Sequence, residues 1–316
     1  MLNQLLEALP AHTRGVLFAA QGQRPQRPRG RYAPSPSGPL HLGNLRTALL
    51  SWLQARREGG EWLLRIDDLD TPRNRAGAEQ GALADLQWLG LAWDGPLLRQ
   101  SERRGLYNTV LSALRRTGFL YPCRCSRRLL ADLSAPHGAW QVYPGSCRQA
   151  GHGWGPEAGR LPSWRLRLPA APIGWRELGP GPHQLAGASQ VGDVVLRRAD
   201  GFIAYHLATA VDELWLGIST VVRGEDLWQS TGPQVALMQL LGQAPPSYWH
   251  VPLVRDGQGQ RLAKRAGATG LAGWRERGLG AAELVGQWAT ELGWLPPGSV
   301  LSAQELLQEI FRKRPG

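Results

Sequence analysis

Two short segments hold the residue types that phosphate chemistry needs. In Ala33 to Asn44, APSPSGPLHLGN, a histidine and a glycine stand where an extended piece gives way to helical spacing. A helix N-terminus points backbone N–H groups outward and carries partial positive charge, which favours a polyphosphate. Gly43 lets a bulky ligand approach the main chain with no Cβ in the way. His41 can donate to a phosphate oxygen whose charge grows in a transition state, and Pro34 and Pro36 stiffen the loop that presents it. By itself a His-Leu-Gly triplet is a weak signal, and a lone histidine is more often a structural residue.

Lysine usage adds to this. Of the 36 basic residues only Lys264 and Lys313 are lysines, so 34 are arginines. An ammonium and a guanidinium are not interchangeable, and Lys264 lies in the basic, polar stretch Arg261 to Arg265, RLAKR. That setting is expected of a loop that closes over phosphates and delivers an ammonium to the transferring group. The chain has no GxxxxGK segment, which argues against a P-loop mechanism.

The three cysteines, Cys123, Cys125 and Cys147, fall within 25 residues. An odd, clustered set argues for a metal site over a disulfide framework. His137 and His152 are nearby donors of the commoner type for a fourth position, and three reduced buried thiols are the alternative.

These residues need a scaffold that alternates strand and helix. Arg31 to Ala33 reads as extended, and Leu45, Leu49, Trp52 and Leu53 give helical spacing to about residue 57. A buried strand at 62–66 and amphipathic helices at about 76–89 and 102–117 continue the alternation of a parallel α/β sheet. Residues 119–190, rich in Pro and Gly and holding the cysteines, break the rhythm as an inserted subdomain would. Strand-like pieces at 193–196, 202–205 and 218–223 and a helix at about 234–241 supply a second half. The expected architecture is a Rossmann-like doubly wound parallel sheet, with halves at 31–118 and 191–265 split by an insertion at 119–190. A leader at 1–30, too rich in Pro, Gly and Arg to pack at its end, precedes it, and a short helical region at 266–316 follows.

At 316 residues with 42% hydrophobic content, the chain can fill two domains or one large domain with an insertion. It has no apolar run of about 18 residues and no secretory leader pattern, so a cytoplasmic location without membrane contact is expected. The net charge of +11 points to a polyanionic partner, nucleic acid first, although arginine-rich coding also raises basicity without a ligand.

The two phosphate segments, in this order around a split α/β domain, resemble the HIGH and KMSKS signatures of class I aminoacyl-tRNA synthetases. The stretch RYAPSPSGPLHLG from Arg31 to Gly43, RTAL from Arg46, RIDDLD from Arg65 to Asp70 and VRGED from Val222 to Asp226 resemble the glutamyl branch of that family. Because only residues 265–316, 52 in all, follow Lys264, too few for an anticodon-binding domain, the chain is most similar to the truncated members of that branch. Those members glutamylate queuosine in the anticodon of tRNA(Asp).

That resemblance implies activation of L-glutamate by ATP with Mg²⁺, and transfer of the glutamyl group to tRNA(Asp) carrying queuosine. It gives His41 and Lys264 catalytic roles and assigns ATP contacts to His41, Gly43, Asn44 and Lys264. Glutamate contacts fall on Arg31, Tyr32, Ala33, Pro34, Ser35, Asp67, Tyr205 and Arg223. Guanidinium groups can hold a carboxylate bidentately, and Asp67 can hold the ammonium, directly or through water. The family usually has Glu at the Asp67 position, and RLAKR has Arg and Ala263 where the signature has Lys and Ser. One structural Zn²⁺ per chain is implied, on Cys123, Cys125, Tyr143 and Cys147, and a monomer is expected.

Overall fold

In the computed structural model of the protein, residues 2–11, 13–14, 27–126, 142–254 and 271–312 are described. In chain order they form α1 (Leu2–Ala8), β1 (Arg29–Tyr32), α2 (Leu42–Arg57), β2 (Glu61–Ile66), α3 (Ala78–Trp88), β3 (Leu98–Arg99), α4 (Arg104–Arg116), β4 (Leu120–Cys123), β5 (Ser163–Leu166), β6 (Pro172–Glu177) and β7 (Gly181–Ala186). There follow β8 (Val195–Arg197), α5 (Tyr205–Trp215), β9 (Thr220–Gly224), α6 (Thr231–Leu240), β10 (Ser247–Val251), α7 (Leu271–Arg275), α8 (Ala281–Glu291) and α9 (Ala303–Arg312). The fold is α/β with a parallel sheet. The chain divides into two units, one of residues 1–25, 101–218 and 227–247, the other of 26–100, 219–226 and 248–316.

The second unit is built on β1 and β2, which pair in parallel from Arg29↔Glu61 to Tyr32↔Leu64, with β3 parallel on the far side of β2. Parallel strands need a crossover, and α2 supplies it. Leu45, Leu49, Trp52 and Leu53 of α2 are buried on its sheet-facing side, as their spacing predicts. Gly59, at φ +64, ends the helix and turns the chain into β2. Ser219 ties the start of β9 to β1, its N–H donating to the Arg29 carbonyl at 2.9 Å. The core of this unit also takes Leu284, Val285 and Trp288 of α8 and Leu306 of α9.

In the first unit, β4, β5 and β8 form an antiparallel sheet, and β6 and β7 form a hairpin. Helix α4 buries Tyr107, Val110, Leu111 and Leu114, and Tyr107 donates to the fully buried Asp212 of α5 at 2.9 Å. This places α4 with the first unit, although the strand–helix rhythm assigns it to the half at 31–118.

Two other expectations change. Residues 202–205 are not a strand: Ile203 makes one isolated bridge to Arg197, and Tyr205 begins α5. The leader at 1–30 stops short of its expected end, since Arg29 and Gly30 open β1, while the amphipathic piece expected at its start, Leu2 to Leu9, forms α1 with Leu5 fully buried. The segment Arg261 to Arg265 lies outside the described residues.

Candidate active site and metal site

The loops leaving β1 and β2 are laced together at the carboxyl ends of their strands. The Asp67 N–H donates to the Pro34 carbonyl at 3.0 Å, and the Arg75 N–H to the Pro36 carbonyl at 2.8 Å. This crevice is where open parallel sheets hold ligands. Pro34 and Pro36 are buried and fix the loop, while Ser35 is exposed and Ala33 half-buried.

His41 is the N-cap of α2. Its Nδ1 accepts from the Asn44 N–H at 3.1 Å, and the Asn44 side chain accepts from the His41 N–H at 3.3 Å, a reciprocal capping box. Because Nδ1 accepts, the proton of the neutral ring sits on Nε2, which is therefore the donor. A Cβ on Gly43 would lie 3.1 Å from that Nδ1, so glycine leaves the imidazole in its capping position. Asn44, expected from the resemblance to contact ATP, is a capping residue here.

Arg31 and Arg223 are each only 4% exposed. The Arg31 Nη1 donates at 3.2 Å to the carbonyl of Val222, the residue before Arg223 on β9. Arg223 Nε donates to His250 Nε2 at 3.1 Å, and its guanidinium lies 5.1 Å from the Tyr248 ring. Tyr248 and His250 of β10 stack at 5.9 Å. These two residues were not singled out from sequence, because only the pairing of β9 with β10 sets them beside Arg223.

Tyr32 is placed elsewhere than a glutamate contact. Strand side chains alternate faces, so with Arg31 on one side Tyr32 enters the core, stacked 6.3 Å from Trp62. Its hydroxyl donates to the Asn44 carbonyl at 3.2 Å, and burial followed by the charge of Asp85 raises its pKa. Asp67 is gripped by Arg65, with Nε to Oδ1 at 2.7 Å and Nη2 to Oδ2 at 3.2 Å. The Arg65 side chain is 1% exposed, so this aspartate neutralises a buried charge, whatever else it does. Tyr205 belongs to the other unit, where it opens α5 and is 37% exposed. Lys264 lies outside the described residues. Arg46 of α2, buried among these elements, donates to the Pro252 carbonyl at 2.5 Å.

In the other unit Cys123, Cys125 and Cys147 converge, all three sulfurs within 4.8 Å of one another. The Tyr143 oxygen lies 3.5 Å from Cys123 Sγ and 3.4 Å from Cys125 Sγ, and Cys125 Sγ lies 3.5 Å from Cys147 Sγ. A tetrahedral thiolate site with metal–sulfur bonds of ~2.3 Å separates its sulfurs by about 3.8 Å, so these residues fit a metal ion closely. The Cys147 N–H donates to the Tyr143 oxygen at 2.9 Å, and Arg165 donates to Cys123 Sγ at 3.2 Å while lying 3.7 Å from the Tyr143 ring. Burial lifts the Cys125 thiol to about 11. Burial also opposes ionisation of Cys147, but hydrogen bonds from Tyr143, the Arg124 backbone and the neighbouring thiols outweigh it and bring that thiol to about 6. His152 is not in the cluster, and His137 lies outside the described residues.

A family model described as tRNA synthetases class I (E and Q), catalytic domain, matches residues 28–299. The chain is 56% identical over 306 residues to a glutamyl-Q tRNA(Asp) synthetase of Prochlorococcus marinus, covering 97% of this chain and 95% of the relative. It is 44% identical over 302 residues to one of Deinococcus radiodurans, covering 91% and 98%. Among solved structures it is similar to a glutamate tRNA ligase from Elizabethkingia meningosepticum crystallised with its amino acid, at 28% identity and a TM-score of 0.72. The match covers 90% of this chain but 64% of that ligase, so the chain spans just under two thirds of the ligase's length.

Proposed function

The chain belongs to the class I tRNA synthetases of the E and Q branch, and within it to the glutamyl-Q tRNA(Asp) synthetase family; from that premise we propose that it activates L-glutamate with ATP and passes the glutamyl group to queuosine in the anticodon of tRNA(Asp). It is a ligase. One observation on the chain itself carries the reading furthest. Two buried arginines, Arg31, which donates to the Val222 carbonyl, and Arg223, which donates to His250, lie in the same unit as a histidine that caps a helix and holds its proton on Nε2.

In the first step a glutamate carboxylate oxygen attacks the α-phosphorus of ATP, the bond to the β-phosphate oxygen breaks, and pyrophosphate leaves. In the second a queuosine hydroxyl attacks the acyl carbon, loses its proton and displaces AMP. Arg31 and Arg223 are read as the guanidinium groups that hold the substrate carboxylates, fixed in place by the Val222 carbonyl and by His250. The His41 Nε2–H is read as a donor to phosphate oxygens, supported by the N-terminal dipole of α2, with Gly43 keeping the main chain approachable. Lys264 is read as the ammonium that joins them, and Mg²⁺ arrives with ATP. Asp67, already paired with Arg65, is read as turning its remaining lone pairs to the substrate ammonium.

Cys123, Cys125, Tyr143 and Cys147 would hold one Zn²⁺ per chain, and four protein donors leave it a structural role with no open position for substrate. Among the described residues no helix is long and apolar enough to cross a membrane, and the reading is of a cytoplasmic monomer. The test is transfer of labelled glutamate to tRNA(Asp) with and without queuosine. Acid-stable counts on the modified tRNA alone are expected, and equal labelling of both would move the acceptor away from queuosine.

A further inference from the structure

We infer that Arg115 and Arg197, stacked on Trp154 and Trp164, form a docking surface for the phosphate backbone of the RNA substrate. The inference rests on the RNA-acceptor reading above and goes beyond it, because none of these residues belongs to the ATP, glutamate or metal sets. All four lie in the first unit. Trp164 and Arg197 are cross-strand partners on β5 and β8. The Arg197 guanidinium is 4.8 Å from the Trp164 ring, and the Arg115 guanidinium, at the end of α4, is 4.3 Å from Trp154 and 5.3 Å from Trp164. The two indoles meet edge to face at 5.1 Å.

Three features distinguish this cluster from ordinary surface arginines. First, among the described residues neither Arg115 nor Arg197 has an acidic partner, whereas Arg103, Arg124, Arg148 and Arg198 of the same unit do. Second, a guanidinium lying on an indole keeps its in-plane N–H donors directed outward, already oriented for phosphate oxygens. Third, the loop carrying Trp154 is fixed from behind: Arg124 Nη2 donates to the carbonyls of Gly153 at 3.2 Å and Gly155 at 2.8 Å. The acidic residue of that loop, Glu157, is occupied by the same Arg124 at 2.5 Å. Two rigid cations with free donor edges and no local counter-charge fit a polyanion, and the faces of the indoles are already covered by guanidinium, so backbone phosphate fits better than a stacked base.

The experiment compares the wild-type chain with the Arg115→Gln/Arg197→Gln double variant for binding to queuosine-containing tRNA(Asp) across a salt series. The double variant should bind about tenfold more weakly at low salt, and the slope of log K against log salt should fall by roughly 1.5 to 2, as for two lost phosphate contacts. Glutamate-dependent pyrophosphate exchange and melting temperature should be unchanged. The Arg115→Lys/Arg197→Lys variant should recover the slope but only part of the affinity, since lysine keeps the charge and loses the planar stack. An unaltered affinity and slope in the Gln variant would overturn the inference, as would a loss of exchange in step with the loss of binding. Absent exchange in the wild type would instead count against the glutamate reading, and tRNA binding is read separately from it.

Discussion

His41 has two roles that one substitution can separate. As N-cap it accepts the Asn44 N–H on Nδ1, and as a donor it offers Nε2–H. Asparagine caps a helix at least as well but has no imidazole. His41→Asn should therefore melt within a few degrees of wild type and slow adenylate formation by roughly 10²-fold, as measured by pyrophosphate exchange. An undiminished rate would reduce His41 to a cap. Asp67 is a contrasting case, since its carboxylate is the partner of a buried guanidinium. Asp67→Asn should lose about 3 kcal/mol in denaturant unfolding as well as raising the KM for glutamate. Unchanged stability would show that Arg65 has another counter-charge. The sequence made His41 visible because its neighbours form a signature. It hid Arg65 and His250, because an i, i+2 ion pair at a strand end and a cross-strand hydrogen bond leave no spacing of their own.

At the scale of elements, the strand–loop–helix was legible from Arg31 to Arg57, its first two strand residues aside, because buried positions recur with the helical period and Gly59 marks the stop. Helix α5 was not. The run Phe202 to Tyr205 is aromatic and branched, as strands are, and Ala204 caps α5 without a side-chain hydrogen bond, so no start signal precedes it. The buried Leu207, Ala208, Val211 and Leu214 carry its period one turn later. The cysteine loop was legible as a cluster from its spacing, whereas Tyr143 as a fourth donor came only from the family resemblance; its oxygen lies within 3.5 Å of two sulfurs. Cys147→Ala should lower both bound metal, measured by elemental analysis, and the melting temperature by several degrees. A metal-free wild-type protein of the same melting temperature would remove the metal from the account.

At the scale of the whole molecule, each unit is assembled from stretches far apart in sequence, and composition gave no sign of where they exchange. The short helical region expected at 266–316 shares the core of the second unit, where Trp288 of α8 is 1% exposed in the same cluster as Leu49 and Trp52 of α2. Trp288→Ala should cost about 3–5 kcal/mol of stability in denaturant, and a loss below 1 kcal/mol would set the region apart from that core. The surplus of charge, +11, was legible in the composition, whereas the placing of Arg197 beside Trp164 depends on β5 pairing with β8. The central claim is that this chain makes glutamyl-adenylate at the β1–α2 crevice. Exchange of labelled pyrophosphate into ATP, with Mg²⁺ and intact folded protein, tests it most directly. The account predicts exchange that requires L-glutamate and is lost in His41→Asn; exchange that ignores glutamate, or its absence in the wild type, would contradict it.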